Sequence, residues 1–212
     1  MNINKTIMLQ TVDNPNTSGA VEQRFTWRGL TWHQFKAIQT GFEDVPNVHL
    51  FYCDGVLEIV GTARLHEAIR CLMGLLMGQY FLQRRIVFFP SGTYSQIVEE
   101  QVEYQADLSY CFGTIKDVPD LCIEIVITSG SPIKLQKYRL MGVPEVWFWE
   151  DGTLELYHLR EEGCDRIASS EILPDLDLSL LKRCILFASP LDALEEFSRG
   201  MGDRENLAIN YF

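Results

Sequence analysis

Residues Leu121 to Ile127 read Leu-Cys-Ile-Glu-Ile-Val-Ile, a β-branched run with a single carboxylate, Glu124, inside it. Apolar residues at both odd and even positions are the pattern of a strand covered on both faces. Elsewhere the period changes. Ile69, Leu72, Met73, Leu76 and Tyr80 recur at three- and four-residue spacing, which predicts an amphipathic helix from about Leu65 to Gln83. A first helix is expected after Thr31, because Thr31-Trp32-His33-Gln34 is a capping box. Asp54-Gly55 between Leu50–Tyr52 and Val56–Ile59 predicts a hairpin, and Asp151-Gly152 between Glu145–Trp149 and Leu154–His158 predicts a second. Further strands are expected at Ile86–Phe89, Thr93–Val98 and Ala106–Cys111. Ser131-Pro132 opens a helix, with Ser as its cap, that Gly142 and Pro144 close. A last helix is expected near Pro190–Ser198.

This order of elements is that of an α/β fold, a mixed β-sheet flanked by helices and preceded by an N-terminal helix and β-hairpin. The expected organisation is a polar arm over 1–24, one domain over 25–197 and a polar tail over 198–212. Hydrophobic residues make up 47% of the 212, enough for a sizeable core and too many for a disordered chain. Eighteen Lys and Arg against 29 Asp and Glu give a net charge of −11, which disfavours a protein that coats DNA over a broad footprint. The six cysteines form no Cys-x-x-Cys pair and have no His at zinc-finger spacing. With no apolar run of membrane length and no secretory pattern at the N-terminus, a cytoplasmic protein with reduced thiols and no membrane partner is expected.

The chemistry centres on Glu124. A carboxylate inside a two-sided apolar strand costs several kcal/mol unless a cation or donors compensate it, and such residues concentrate at metal and catalytic sites. A Glu reaching solvent or paired with an Arg is the alternative. Asp107 lies on the preceding expected strand, and a hairpin turning near Tyr110–Pro119 would bring the two carboxylates together. Alone it reads as an ordinary surface Asp. Two carboxylates and a backbone carbonyl make a hard-oxygen site suited to magnesium or manganese. Lys134 stands in the first turn of the following helix, where a cation opposes the macrodipole. It is either a solvated lysine or, if the helix folds back along the strand, an ammonium within reach of the carboxylates. Trp147 and Trp149 share a strand face and predict core packing; an exposed pair would instead mark a dimer interface. Arg64, Arg70, Arg84, Arg85, Lys137 and Arg139 steer DNA only if they converge on the cleft, and scattered solvated cations are the default. His33, His49 and His158 read as isolated, and Ser91-Gly92 lacks the frame of a nucleophile elbow.

Asp107, then Glu124-Ile125-Val126, then Lys134 resembles the PD-(D/E)xK nuclease pattern in the variant whose lysine has moved to the next helix. The stretches Asp54-Gly55-Val56-Leu57-Glu58-Ile59, His66-Glu67, Pro119 to Glu124, Lys134-x-x-x-Tyr138 and Tyr138 to Trp149 resemble, more closely, the Uma-type restriction endonuclease family abundant in cyanobacteria. The resemblance covers roughly Phe25 to Leu194. It implies a restriction-endonuclease-like core and phosphodiester cleavage of DNA with Mg2+ or Mn2+. By the same resemblance Asp107, Glu124 and the Ile125 carbonyl are metal ligands, and Lys134 positions or activates the attacking water. His66 and Glu67 match a family position that adds a carboxylate near the cleft, although the helix dipole also explains a Glu there. The sequence departs from the family at Gln105, where a Glu is usual, and at Phe51, where the Glu upstream of the hairpin is missing. Loss of the Glu at 105 removes charge beside the site. The competing readings are a nuclease-derived binding or oligomerisation module that no longer turns over and a hydrolase of smaller phosphoesters. A homodimer is expected by fold analogy only.

Overall fold

The computed structural model describes residues 23–45, 48–61, 64–91, 96–126 and 131–209, with the side chains of 23, 24, 96, 131–133 and 203–209 outside the description. The described residues divide into two compact units, one drawn from Met1–Glu67 and Tyr94–Gln105, the other from Ala68–Thr93 and Ala106–Phe212. Each has its own sheet. Most of the expected 1–24 arm, the Ser131 cap, Ile127 and Gly92 lie outside what is described.

The first unit contains β1 (Gln23–Arg28), α1 (Trp32–Thr40), β2 (Val48–Cys53), β3 (Val56–Gly61), β5 (Gln96–Val98) and β6 (Val102–Tyr104), numbered in chain order. Its strands run β1-β3-β2-β6-β5, every pair antiparallel. The expected capping box is present: the Thr31 hydroxyl accepts from the Gln34 N–H at 3.2 Å, and Gln34 Oε1 accepts from the Thr31 N–H at 3.0 Å. Asp54 and Gly55 both have positive φ, 45° and 81°, as a two-residue hairpin turn with right-handed strand twist requires. Leu30, Phe35, Tyr52 and Leu57 form the core of this unit. Phe35 stacks on Tyr52 at 5.1 Å, and the Tyr52 hydroxyl donates to the Leu30 carbonyl at 3.1 Å. Glu103 faces Tyr52 across the ladder and is buried with it. Its carboxylate accepts from Lys36 Nζ at 2.9 Å and Gln39 Nε2 at 2.6 Å, both on α1.

In the second unit the long α2 (Arg64–Gln83) contributes its residues from Ala68 onward. Then follow β4 (Phe88–Pro90), β7 (Leu108–Phe112), β8 (Leu121–Val126), α3 (Ser131–Met141), β9 (Glu145–Glu150), β10 (Thr153–Leu159), β11 (Cys164–Ile167), α4 (Leu178–Ile185) and α5 (Pro190–Ile209). The sheet order is β11-β10-β9-β8-β7-β4. Only β8 and β9 are parallel, so the sheet is mixed, and α3 is the crossover that a parallel pair needs.

Alternation along the strands gives this sheet two different faces. Ile123, Ile125, Trp147, Trp149 and Leu156 point into a core shared with Leu72, Met73, Leu76, Met77, Tyr80 and Phe81 of α2 and with Leu180, Leu181, Cys184, Ala193 and Phe197 of α4 and α5. The tryptophan pair is therefore core packing, as expected. Glu124 and Phe148, on the opposite face, meet α3, whose Tyr138 ring lies edge-on to Phe148 at 6.4 Å. Both faces of β8 are covered, and all six of its residues are buried.

Two glycines set helix geometry here. Gly142 has φ +73°, and the Gly142 and Val143 N–H groups donate to the Arg139 and Tyr138 carbonyls at 3.1 Å each. That is a Schellman ending for α3. At Gly200 a Cβ would stand 2.7 Å from Leu180 Cδ2, so the missing side chain sets how closely α4 and α5 pack. α5 runs to Ile209 instead of stopping near Ser198, and α4, β1, β6 and β11 were not expected.

Candidate active site

β7 and β8 pair with Leu108 opposite Ile123 and Ser109 opposite Cys122. Asp107 stands at a bend one residue before β7, at the end of the ladder where β8 carries Glu124. The hairpin puts Asp107 near enough to Glu124 for its charge to act on the Glu124 carboxyl. Asp107 is half-buried, and its Oδ2 accepts the Ile125 N–H at 2.7 Å. This bond fixes the Asp107 side chain beside the strand that carries Glu124.

Glu124 is 2% exposed. Lys134 Nζ donates to its Oε2 at 2.6 Å, and the Tyr138 hydroxyl donates to its Oε1 through a short hydrogen bond. Lys134 and Tyr138 are four residues apart on α3, so they share the helix face that lies on the sheet. The lysine is thus not a solvated helix residue: its side chain is 7% exposed and reaches back along the strand. Both oxygens of Glu124 are engaged by α3.

Burial pushes the Glu124 carboxyl above the ordinary range; Lys134 opposes that shift, and the charge on Asp107 adds to it. Beneath it on the same strand face, burial raises the Cys122 thiol, with Glu124 reinforcing the shift. Cys122 is an inert core residue.

The remaining predicted residues fall elsewhere. His66 is buried and Glu67 is 44% exposed in the first turn of α2, with His66 Nδ1 and Glu67 Oε1 3.5 Å apart. Both belong to the first unit, as does half-buried Gln105. Phe51, the other departure from the family pattern, packs on Tyr104 at 4.6 Å within that unit. Lys137 is buried, which removes it from any surface patch, and Arg139 on the same helix is exposed.

His158 is not isolated: it is paired with Glu145 across the β9–β10 ladder, with Nδ1 3.5 Å from both Glu145 Oε2 and Glu171 Oε2. Fully buried Glu145 also accepts from Trp147 Nε1 at 2.7 Å, Ser170 Oγ at 2.6 Å and the Glu171 N–H at 3.0 Å. It pins the 170–172 segment to the sheet. Tyr138 is the site residue to which sequence reasoning gave no role, although its i+4 spacing from Lys134 was a usable signal.

The donor set fits a hard divalent cation. Two carboxylates supply charged oxygens, and the Ile125 peptide is held against one of them. Among the described residues no group of three or more His, Cys, Asp or Glu side chains is placed to hold a metal, so side chains alone would leave the coordination incomplete. Magnesium tolerates this, because it keeps several of its own waters. Among the described residues no helix is long and apolar enough to cross a membrane.

No curated protein matches the chain. Among solved structures, the crystal structure of a "putative nuclease belonging to DUF820" from Anabaena variabilis superposes with a TM-score of 0.48 at 14% identity, covering 79% of this chain and 99% of that one. The profile of the Uma2 family, described as "Putative restriction endonuclease", matches residues 32–191. With the match spanning most of its length, this chain belongs to the Uma2 family.

Proposed function

We propose that this protein is a divalent-metal-dependent nuclease that hydrolyses phosphodiester bonds of DNA at Asp107, Glu124 and Lys134. The observation that carries the reading is Glu124: a strand-centre carboxylate, 2% exposed, with a second carboxylate bonded to the next residue of its strand and a lysine from the crossover helix holding it. A core gains nothing from such an arrangement, since a well-packed apolar substitute is usually at least as stable as a buried ion pair.

In this reading Asp107, Glu124 and the Ile125 carbonyl hold Mg2+ or Mn2+. The bound ion would supply Lewis-acid polarisation of a phosphoryl oxygen and a lowered pKa for a water. Asp107 keeps its orientation through the Ile125 N–H, and Glu124 keeps its own through Tyr138. Lys134 orients the attacking water and stabilises charge developing on the phosphoryl oxygens. By the family resemblance Glu67 and His66 take a secondary role, and Gln105 occupies the sequence position where the family usually carries a further carboxylate. A cytoplasmic setting accords with six cysteines that stand outside any disulfide.

Gln105 favours a second reading, in which the chain is a nuclease-derived binding or oligomerisation module with no turnover. Purified protein incubated with plasmid and short duplex DNA in Mg2+ or Mn2+ separates the two. The nuclease cleaves, Asp107→Asn does not, and the circular dichroism spectra of the two proteins agree. Absence of metal-dependent cleavage, together with tight capture of a partner that Asp107→Asn leaves intact, would establish the second reading. Sedimentation analysis of the same samples tests the homodimer.

A further inference from the structure

The two residues that engage Glu124 differ in a way that bears on how a cation would enter. Lys134 brings a full positive charge on a flexible four-carbon stem. Tyr138 brings a neutral hydroxyl on a rigid ring that is fully buried and packed against Phe148. A carboxylate oxygen has two lone-pair sites, so Oε1 can accept from Tyr138 and still face a metal. Oε2 cannot serve an ammonium at 2.6 Å and a divalent cation together without two positive charges standing within a few ångströms in a poorly screened site.

Counting charges leads to the same point. Asp107, Glu124 and Lys134 sum to −1 when nothing else is bound, with the ammonium neutralising the more deeply buried carboxylate. A divalent ion raises that sum to +1 if the ammonium stays in place.

We propose that Lys134 is a built-in stand-in for the metal: its ammonium holds Glu124 in the empty site and leaves Oε2 when a divalent cation enters, while Tyr138 stays on Oε1 as the fixed positioning residue. The inference rests on the metal-site reading above and gives Lys134 two successive tasks. Released from the carboxylate, the ammonium becomes available to orient a water. Tyr138 acts only through Glu124 and touches no reacting atom.

The test is calorimetric titration of MnCl2 into wild type, Lys134→Met, Tyr138→Phe and Asp107→Asn at one pH and ionic strength, with thermal melts in EDTA and in saturating manganese. Lys134→Met is expected to melt below wild type in EDTA, to bind manganese at least fivefold more tightly, and to gain more in melting temperature from it. Tyr138→Phe is expected to bind at least fivefold more weakly, because Glu124 loses its orientation. Lys134→Arg keeps the charge and is expected to show no gain in affinity, which separates charge from packing. If Lys134→Met does not fold in EDTA, Lys134→Gln supports the same comparison.

Manganese affinity in Lys134→Met equal to or weaker than wild type, with wild type binding and Asp107→Asn not, overturns the stand-in role and leaves the metal site standing. Unchanged affinity in Tyr138→Phe overturns its positioning role. No manganese binding to wild type or to Lys134→Met overturns the metal reading and the inference with it.

Discussion

Asp107→Asn probes the site without relying on turnover. The substitution keeps an oxygen that can accept the Ile125 N–H, now made at 2.7 Å, so the backbone contact survives. What it removes is a negative charge that acts on Glu124, whose carboxyl is pushed up by burial first and by Asp107 as well. Like charges facing each other across strands cost about 0.2–1 kcal/mol where water screens them. With Glu124 buried and Asp107 half-buried, the upper end applies, and we expect a gain of about 1 kcal/mol in EDTA. For a chain of this size that is a rise of roughly 2–4 °C in melting temperature by scanning calorimetry. In manganese the order reverses. Wild type gains stability by mass action, about 2.7 kcal/mol at one hundred times the dissociation constant, and Asp107→Asn does not. If Asp107→Asn melts below wild type in EDTA, attraction to Lys134 outweighs repulsion by Glu124, and the two carboxylates are not the coupled pair described here. If manganese stabilises both proteins equally, Asp107 is not a ligand.

Three further outcomes test other parts of the structure. Gly142→Ala places a Cβ in open space but at φ +73°, so its cost is purely conformational, about 1–2 kcal/mol by urea denaturation, and Gly142→Asn should recover part of it. Glu145→Ala strips a fully buried acceptor from Trp147, Ser170 and the Glu171 N–H, and is expected to cost about 3 kcal/mol or more in the same assay, with faster amide exchange at Glu171 and Ile172. Burial raises the Tyr110 hydroxyl well above its ordinary value of 10.0. The unfolded chain therefore gives up this proton first as pH rises past 10, and folding stability falls there. Tyr110→Phe should flatten that fall by up to about 1.4 kcal/mol per pH unit, seen as a smaller loss of melting temperature between pH 10 and 11. Equal slopes would mean that Tyr110 opens to solvent in the folded protein.

What could be read in the sequence was whatever local pattern controls. The Thr31–Gln34 capping box, the Asp54-Gly55 and Asp151-Gly152 turns and the apolar stripe of α2 each depend on residues within a few positions of one another, and each has its expected counterpart in the structure. Glu124 stood out because a charge in an apolar run is a local contradiction. β1 has a weak signal because its apolar residues are only Phe25 and Trp27, 42% and 49% exposed at a sheet edge. β6 is three residues long, and β11 is an edge strand with exposed Asp165 and Arg166 at its centre. α4 carries a readable local signal, Asp177 as cap before Leu180, Leu181, Cys184 and Ile185. α5 outran its expected end because Gly200 and Gly202 lower helix propensity there, while Met201, one turn beyond Phe197, still packs in the core. The His158–Glu145 pair needed the register of β9 against β10, which no spacing along one strand supplies.

The two faces of the mixed sheet explain how such a site persists. Glu124, Lys134 and Tyr138 form a buried polar cluster on the α3 side, where a carboxylate and an ammonium have both lost their water. A pair of this kind gives little net stability and leaves a strongly unfavourable charge behind when one partner is removed. The same strand, one residue to either side, sends Ile123 and Ile125 into the core built by α2, α4 and α5. Strand alternation thus lets a stretch of six residues present a charged group to one layer while the other layer anchors it. It follows that substitutions at Ile123 or Ile125 should move the site as well as weaken the fold, because they shift the backbone that carries Glu124 and the N–H that holds Asp107.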